Sequence, residues 1–428
     1  VISEFQRQFG EMMVDLSQAE RREFVESLID GELNQLGPSF RQMLYQQTHG
    51  HPLFTIELLR GMQERGDVVK DKDDQWIEAA ALDWEKLPAR VEAVIAERIK
   101  RLPQPMREIL RIASVEGEEF SAEVVARVLE RDEREVVRQL SSELDRKHNL
   151  IRAQAIERLG AQRLSRYRFR HYLCQKYLYE TLDPVERSYL HEDVGIVLEK
   201  LYDQQVQAIA PQLAHHFQEA GITNKAIHYL HQAGEKAVAL SAYHEAVTHL
   251  KQGLALLMTL PESQERDELE LTLLLSLGKA VKGRPAKEWR KTLTRALEVC
   301  QKTGKTVELC QIFGELATVH YVRGELSMAR RRAEEALSAA QQTSDPSVVA
   351  LAHWFLGFVL FSMGEYTSAR EHLMEMIAFY DPQQHHEFYV LNRGSDPGVS
   401  AMAYEALCLW CLGYPDQASQ RSQEALVL

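Results

Sequence analysis

The chain has 428 residues and a formal net charge of −13, from 50 Lys and Arg residues against 63 Asp and Glu residues. Hydrophobic residues make up 45% and charged residues 26%, a globular composition that excludes a disordered chain. This length predicts two to four domains. The net negative charge argues against binding to nucleic acid or to an anionic membrane over a large surface. A local basic patch could still bind either of them.

Five cysteines are spread through the sequence. A sparse, odd-numbered set is typical of a reducing compartment, so we expect a cytoplasmic protein without a disulfide framework. No apolar run reaches the roughly 18 residues that a membrane-spanning helix needs, so we expect no membrane partner. The sequence starts at Val1 without a signal-peptide pattern and stops within a helical pattern, and we therefore expect a fragment of a longer protein.

Apolar residues recur with a 3.6-residue period along nearly the whole chain, which predicts a mostly α-helical fold. Ser17, Asp183 and Asp345 mark helix starts, because each is a short polar residue followed by Pro or, three positions on, by Glu. Residues 12–16 fit the end of a buried strand instead.

Residues 105–146 carry three helical patterns, at about 105–115, 121–130 and 132–146. Two short β-like segments follow at 150–153 and 167–170, separated by a polar stretch that contains Gly160. Three helices followed by a small β-hairpin are the layout of a winged-helix domain.

From about residue 205 onwards, a glycine that ends one helix is followed five residues later by an alanine in the next. The pairs are Gly221/Ala226, Gly324/Ala329, Gly364/Ala369 and Gly413/Ala418. In the last three, an aromatic residue stands three positions before the glycine: Tyr321, Phe361 and Trp410. Small residues let antiparallel helices approach and aromatic residues fill the gaps between pairs, which predicts a tetratricopeptide (TPR)-like α-solenoid.

The repeat steps are 40 residues from Ala329 to Ala369 and 49 residues from Ala369 to Ala418. Both exceed the roughly 34 residues of the family, so we expect longer helices and an insertion at 383–398. The concave face of such an array commonly binds a peptide or another domain, and a spacer or assembly scaffold is the alternative.

Residues 48–60 resemble the lid subdomain of STAND-class AAA-type ATPases, with Gly50-His51-Pro52 at the Gly-x-Pro signature. Residues 87–103 and 167–180 resemble the winged-helix region that follows the lid. Segments 396–398 and 412–418 are similar to the TPR tail of one subgroup, in which a class III adenylate/guanylate cyclase domain precedes the ATPase. The resemblance implies an AAA-type helical lid at 1–88, a winged-helix domain at 89–182 and a TPR-like array at 183–428.

The same resemblance implies a site for ATP or ADP in the full-length parent. Gly50 and Pro52 would form the Gly-x-Pro turn, with Pro52 against the adenine, and His171 would sense the β-phosphate. Residue types alone also fit an ordinary Pro-initiated helix and a structural histidine. The acidic residue that usually follows the family's histidine is replaced here by Tyr172.

A phosphate-binding P-loop is missing from the sequence. Gly304-Lys305-Thr306 has Val299 where the P-loop requires its first glycine, and it follows a helical pattern, so we expect a loop between repeat helices. No Walker B strand or cyclase domain is recognisable either. We therefore expect a non-catalytic fragment whose parent binds ATP.

The leading hypothesis is the regulatory portion of a signal-transduction ATPase linked to a cyclase. Its partners would be an upstream ATPase core, the cyclase domain, and a protein or peptide on the TPR face. Two alternatives stay open: part of a STAND-type transcriptional regulator with a separate DNA-binding output domain, and a TPR interaction scaffold without nucleotide function.

Residues 146–171 form a basic island with Glu157 as its one acidic residue. Its cations are Arg146, Lys147, Arg152, Arg158, Arg163, Arg166, Arg168 and Arg170. An anion, another domain or nucleic acid could face it, and we favour the first two. Cys408 and Cys411 have Cys-x-x-Cys spacing, but they lie in a repeat helix, so no redox or metal site is expected there.

Overall fold

The computed structural model describes residues 21–79, 82, 84, 91–160, 162–282, 286–381, 383 and 396–427. Within these residues the chain is mostly α-helical, as predicted, and it contains two small sheets. It divides into two compact units, Val1–Leu201 and Tyr202–Leu428, and the division falls inside the helix Pro184–Tyr202. The predicted strand end at 12–16 and the capping sequence at Ser17 lie outside the described residues.

The first unit begins with three helices and a small hairpin. These elements are α1 (Arg21–Asp30), α2 (Pro38–Thr48), α3 (Pro52–Arg65), β1 (Val68–Lys70) and β2 (Trp76–Glu78). Their core includes Phe40, Leu44, Leu58 and Met62, all buried. The antiparallel pairing of β1 with β2 was not predicted, because strands of three residues are too short to show an alternating pattern.

The rest of the first unit contains the predicted succession of three helices and a β-hairpin, within residues 104–169. Its elements are α4 (Val91–Arg101), α5 (Gln104–Glu116), β3 (Glu119–Ser121), α6 (Ala122–Val128), α7 (Glu133–Gln139) with a π-helical extension (Leu140–Lys147), β4 (Ile151–Leu159), β5 (Gln162–Phe169), α8 (Tyr172–Glu180) and α9 (Pro184–Tyr202). The strand order is β3-β5-β4, with antiparallel pairing throughout. Asp183 caps α9 by accepting the amides of Val185 and Glu186, as its position predicted.

The hairpin is longer than the sequence indicated. We expected two short strands separated by a polar stretch, and this was wrong, because β4 and β5 continue through that stretch as far as the pair Leu159↔Gln162. Most of β4 is exposed, so neither of its faces needs apolar residues, and the apolar alternation that reveals a half-buried strand is missing. Backbone pairing, with Gly160 at φ 58° in the turn, forms the wing.

The second unit is a succession of antiparallel helix pairs. After the 3₁₀ segment Asp203–Ile209 come α10 (Ala210–Glu219), α11 (Thr223–Ala239), α12 (Tyr243–Leu257), α13 (Gln264–Val281), α14 (Ala286–Thr303), α15 (Thr306–Val322), α16 (Leu326–Ala340), α17 (Pro346–Ser362), α18 (Tyr366–Phe379), α19 (Pro397–Cys411) and α20 (Pro415–Val427). This arrangement confirms the TPR-like array. Most of the predicted insertion at 383–398 lies outside the described residues.

The turn glycines and their alanines behave as the spacing predicted. Gly221, Gly324, Gly364 and Gly413 all have φ between 73° and 88°, the left-handed region that glycine enters at low cost. The alanines five positions later, Ala226, Ala329, Ala369 and Ala418, are all buried. Asp345 caps α17 by accepting the amide of Ser347, as expected.

Close packing between helices of the array, both within a pair and between successive pairs, depends on small residues at the contact. A Cβ atom at Gly314 of α15 would overlap the ring of Phe355 on α17. One at Gly357 would lie 2.8 Å from Cγ of Leu373 on α18. The glycines therefore set how closely these helices approach. None of the described helices combines the length and apolar character needed to cross a bilayer.

Gly314→Ala should destabilise the second unit by about 1–2 kcal/mol, because overlap with the buried Phe355 ring outweighs the gain in helix propensity. Gly278→Ala is the matched control in α13, where the new Cβ would lie 3.5 Å from Leu293 Cδ2, an ordinary contact. The control should gain up to about 1 kcal/mol. Urea unfolding followed by far-UV circular dichroism measures both, and equal effects of the two substitutions would contradict the packing argument.

Candidate functional site

The Gly-x-Pro turn connects α2 to α3. His49 and Gly50 have φ of 50° and 66°, and a Cβ atom at Gly50 would overlap the backbone of Arg21. Glycine is therefore required by both conformation and space. The imidazole Nδ1 of His51 accepts the amide of Phe54 at 3.4 Å and caps α3. Pro52 is exposed at the first helical position.

A buried ion pair lies one turn further along α3. Glu57 is 1% exposed and Arg98 of α4 is 3% exposed, and their side chains are hydrogen-bonded directly. Arg98 also donates to Glu64 at 3.1 Å and to the backbone oxygen of His148 at 2.6 Å. Burial lowers the pKa of Arg98, but Glu57 and Glu64 outweigh it and the net pKa is raised, so the guanidinium stays charged.

His171 stands immediately before α8, with Nε2 3.9 Å from Oε1 of Glu57. Burial lowers the pKa of His171, Glu57 opposes this, and the cations Arg60, Arg98 and Arg170 lower the pKa further. The imidazole is therefore neutral at pH 7. An anion beside it would favour the protonated form, which makes the ring responsive to bound negative charge.

A cleft of about 360 Å³ opens beside His171, between α3 and the sheet of the winged helix. We call it the cationic cleft. Its lining residues are Ile56, Arg60, Glu118, Arg152, Gln154, Arg168, Phe169, Arg170 and His171. Four guanidinium groups and one imidazole thus stand against one carboxylate, and guanidinium is the side-chain group best matched to phosphate oxygens.

The arginines of the cleft differ in whether a neighbouring carboxylate already pairs with them. Arg168 donates to Glu118 at 2.6 Å, and Arg170 donates to Asp145 at 2.7 Å. Arg60 lies 3.4 Å from the Glu57 carboxylate. Arg152 is exposed and has no ion pair within the described part of the chain. A ligand could therefore recruit Arg152 without breaking an existing pair.

The three residues implied by the family resemblance occupy different positions relative to the cleft. His171 lines it, whereas Gly50 and Pro52 do not. Ile56 and Arg60 follow Pro52 at intervals of four residues and share its face of α3, so the turn and the cleft lie along one side of this helix. Sequence reasoning missed Arg60, Glu57 and Arg98. One signal was available for Glu57, because it interrupts an apolar run.

The basic island is less positive in the fold than along the chain. Arg166 pairs with Glu157 and Glu116, and Lys147 pairs with Glu143. Glu118 and Asp145, which neutralise two arginines of the cleft, also lie outside residues 146–171. A count of charge within residues 146–171 omits Glu116, Glu118, Glu143 and Asp145, which neutralise part of the island's positive charge.

Glu116 of α5 is another buried carboxylate of the first unit. It accepts the amide of Ser121 at 3.0 Å and its hydroxyl at 2.8 Å, and Arg166 lies 3.5 Å away. Burial raises the pKa of Glu116 to about 7, against the opposing effect of these Ser121 hydrogen bonds and of Arg166. The carboxyl group therefore titrates near neutrality.

The remaining motifs have structural explanations. Gly304, at φ 67°, lies in the turn between α14 and α15, as predicted for the Gly-Lys-Thr segment. Burial raises the pKa of Cys408 to about 11, the opposite of the lowered pKa of a reactive thiol. Among the described residues, no three His, Cys, Asp or Glu side chains converge as a metal site.

No family model matches the chain. Its sequence is 22% identical over 326 residues to an uncharacterised protein of Rhizobium meliloti, and the match covers 75% of this chain and 31% of that protein. The chain thus spans about a third of the length of the curated relative it matches.

Several solved structures are similar over long stretches. A STAND protein with a TPR sensor from Pyrococcus horikoshii is 14% identical, with 94% of this chain and 65% of that chain covered and a TM-score of 0.38. The apo form of RapI is 10% identical, with 78% and 85% covered and a TM-score of 0.42. A protein of Podosopora anserina described as a kinesin light chain with TPR-like repeats is 15% identical, with 47% and 93% covered and a TM-score of 0.36.

Glu57→Ala should destabilise the first unit by about 3 kcal/mol, because it leaves the buried Arg98 charge without its closest partner. Glu64→Ala removes the other carboxylate, which is 29% exposed, and should cost about 1 kcal/mol or less. Urea unfolding with pulse-labelling hydrogen exchange of peptides from α3 and α4 resolves this unit from the array. Equal losses for the two variants would contradict the buried-pair argument.

The Glu116 carboxyl should make stability depend on pH. Its pKa of about 7 in the folded state lies above that of an unfolded glutamate, so the folded state binds the proton more tightly. Its contribution is present below about pH 4.5 and is lost as pH rises towards 7, by roughly 3 kcal/mol at most. Glu116→Gln should remove this slope, as measured by urea unfolding of the first unit at pH 5, 6, 7 and 8. If the free energy of unfolding of the variant depended on pH as it does in the wild type, Glu116 would not be the group responsible.

Proposed function

We propose that this chain is the regulatory portion of a signal-transduction ATPase, and that the cationic cleft contacts the phosphates of ATP or ADP held by an upstream ATPase core. The observation that carries the proposal is the convergence of Arg60, Arg152, Arg168, Arg170 and His171 on one cleft of about 360 Å³. Guanidinium groups bind phosphate oxygens through paired, charge-assisted hydrogen bonds. A neutral histidine beside them gains a proton when an anion arrives, which registers the occupied state.

The buried Glu57–Arg98 pair supports a role for the lid and winged helix as one unit. Arg98 joins α3 to α4 and, through the His148 carbonyl, to the segment that enters β4. Glu57 lies within 3.9 Å of His171. A structural change at the cleft would therefore alter the position of α3, the helix that begins at the Gly50–Pro52 turn. In this proposal, Pro52 meets the adenine and His171 meets the β-phosphate.

The TPR-like array would supply the second input by binding a protein or peptide. Nucleotide and partner would then favour different conformations of the parent protein. Each ligand shifts the equilibrium only by the difference between its affinities for the two conformations. The link to an adenylate or guanylate cyclase domain stays a prediction of the family resemblance, and the cytoplasmic location stays a prediction from the sparse cysteines. A scaffold without nucleotide function would leave the cleft without a polyphosphate ligand, which distinguishes it from this proposal.

Titration calorimetry of the full chain with pyrophosphate and with ADP, at low ionic strength, tests the cleft. We expect saturable binding to the wild type. Arg60→Gln combined with Arg152→Gln should weaken it at least about tenfold, because two charge-assisted contacts to phosphate are lost. His171→Asn should weaken it as well, and less strongly.

Arg158→Gln is the matched control, since Arg158 belongs to the same basic island and does not line the cleft. Binding that falls equally in the control would indicate diffuse attraction to a basic surface. That result, or no binding of either ligand by the wild type, would contradict the proposed function.

A further inference from the structure

A second cleft of the first unit lies among α4, α5 and α8, and we call it the α5 cleft. Its volume is about 450 Å³. Small-molecule sites in proteins commonly measure ~300–1,000 Å³, so this cleft has room for a small organic ligand. It shares no lining residue with the cationic cleft, and the two are therefore separate sites.

One face of α5 supplies most of the charge in the α5 cleft. Arg107, Glu108 and Arg111 all line it. The Glu108 carboxylate accepts a hydrogen bond from Arg131 at 2.6 Å, and Arg111 is paired with Glu186 of α9. These two charges are therefore already balanced by residues on neighbouring parts of the fold, whereas that of Arg107 is not.

Arg107 and Lys100 are the unbalanced cations of the α5 cleft. Neither of them forms an ion pair with any residue that the structure describes. Arg107 is partly buried, and its Nε is enclosed without a hydrogen-bond acceptor among those same residues. Withdrawing a guanidinium from water without a carboxylate is costly, so a bound anion would stabilise this side chain. Lys100 of α4 is exposed and adds a second positive charge.

Apolar side chains form another part of the wall. Ile99 of α4 and Leu178 of α8 line the cleft and are otherwise buried, and Tyr177 beside Leu178 is partly buried. An inorganic ion would contact the cations and leave this apolar surface in water. A ligand that carries both an anionic group and an apolar part would use both surfaces, which is the usual character of a small-molecule site.

We propose that the α5 cleft binds a small organic phosphate monoester with an apolar part about the size of one ring. A phosphate monoester carries about −1.5 to −2 charges at pH 7, which matches the two unbalanced cations. The phosphate lies against Arg107 and Lys100, where the guanidinium donates charge-assisted hydrogen bonds to its oxygens. The apolar part lies against Ile99, Tyr177 and Leu178 and is removed from water there.

Titration calorimetry with phenyl phosphate tests the proposal. The full chain carries Arg60→Gln and Arg152→Gln in every titration, so that phosphate contacts in the cationic cleft do not contribute. We expect saturable binding of phenyl phosphate. Inorganic phosphate, which lacks the ring, and benzoate, which carries a single charge, should each bind at least about threefold more weakly.

Arg107→Gln combined with Lys100→Gln, added to the same chain, should weaken the binding of phenyl phosphate at least about tenfold. Far-UV circular dichroism should stay unchanged, because these substitutions break no ion pair within the described part of the chain. Arg134→Gln combined with Arg138→Gln is the matched control. Both of these arginines are exposed on α7, do not line the α5 cleft, and give the same change in net charge.

Hydrogen exchange of peptides then locates the bound ligand. Phenyl phosphate should slow exchange in peptides from α5 and α8 and leave those from α7 unchanged. Absence of saturable binding up to about 10 mM phenyl phosphate would overturn the proposal. An equal loss of affinity in the matched control, or inorganic phosphate that binds as tightly as phenyl phosphate, would overturn it as well.

Discussion

The first unit depends on one pair of charges withdrawn from water, Glu57 and Arg98. A buried guanidinium or carboxylate is costly alone and acceptable only when its partner is in place. The pair therefore constrains where α4 can lie against α3, and it places Glu57 close enough to His171 to influence its protonation. Arg60 and His171, which line the cleft that the proposed function requires, both lie within 4 Å of Glu57.

The second unit depends on a different constraint, which is the size of the residues where neighbouring helices meet. Gly314 and Gly357 permit contact with the side chains of Phe355 and Leu373, and the aromatic residues before each turn glycine fill the space between pairs. Because every pair contacts mainly its neighbours, the packing rule is local and repeats along the array.

Electrostatics shows why a count of charges along a chain differs from the charge of a surface. The basic island reads as eight cations with one acid, but Glu116, Glu118, Glu143 and Asp145 reach it from neighbouring elements. Of the island's cations, Arg152, Arg168 and Arg170 line one cleft together with Arg60 of α3. The electrostatic case for a phosphate ligand therefore rests on a concave site of about 360 Å³ rather than on a broad basic surface.

The sequence alone determined the features that arise from local chemistry. Each of these features depends on residues only a few positions apart, so it could be predicted from the sequence. They are the helical periodicity, the caps at Asp183 and Asp345, and the turn glycines with their buried alanines. The length of the wing could not be read, because an exposed hairpin is stabilised by backbone pairing that leaves no apolar pattern. The partnership of Glu57 with Arg98, and the gathering of Arg60 with arginines about 100 residues away, depended on the packing of separate elements. Only the tertiary structure decided these, since burial and proximity between distant residues exist only once the chain has folded.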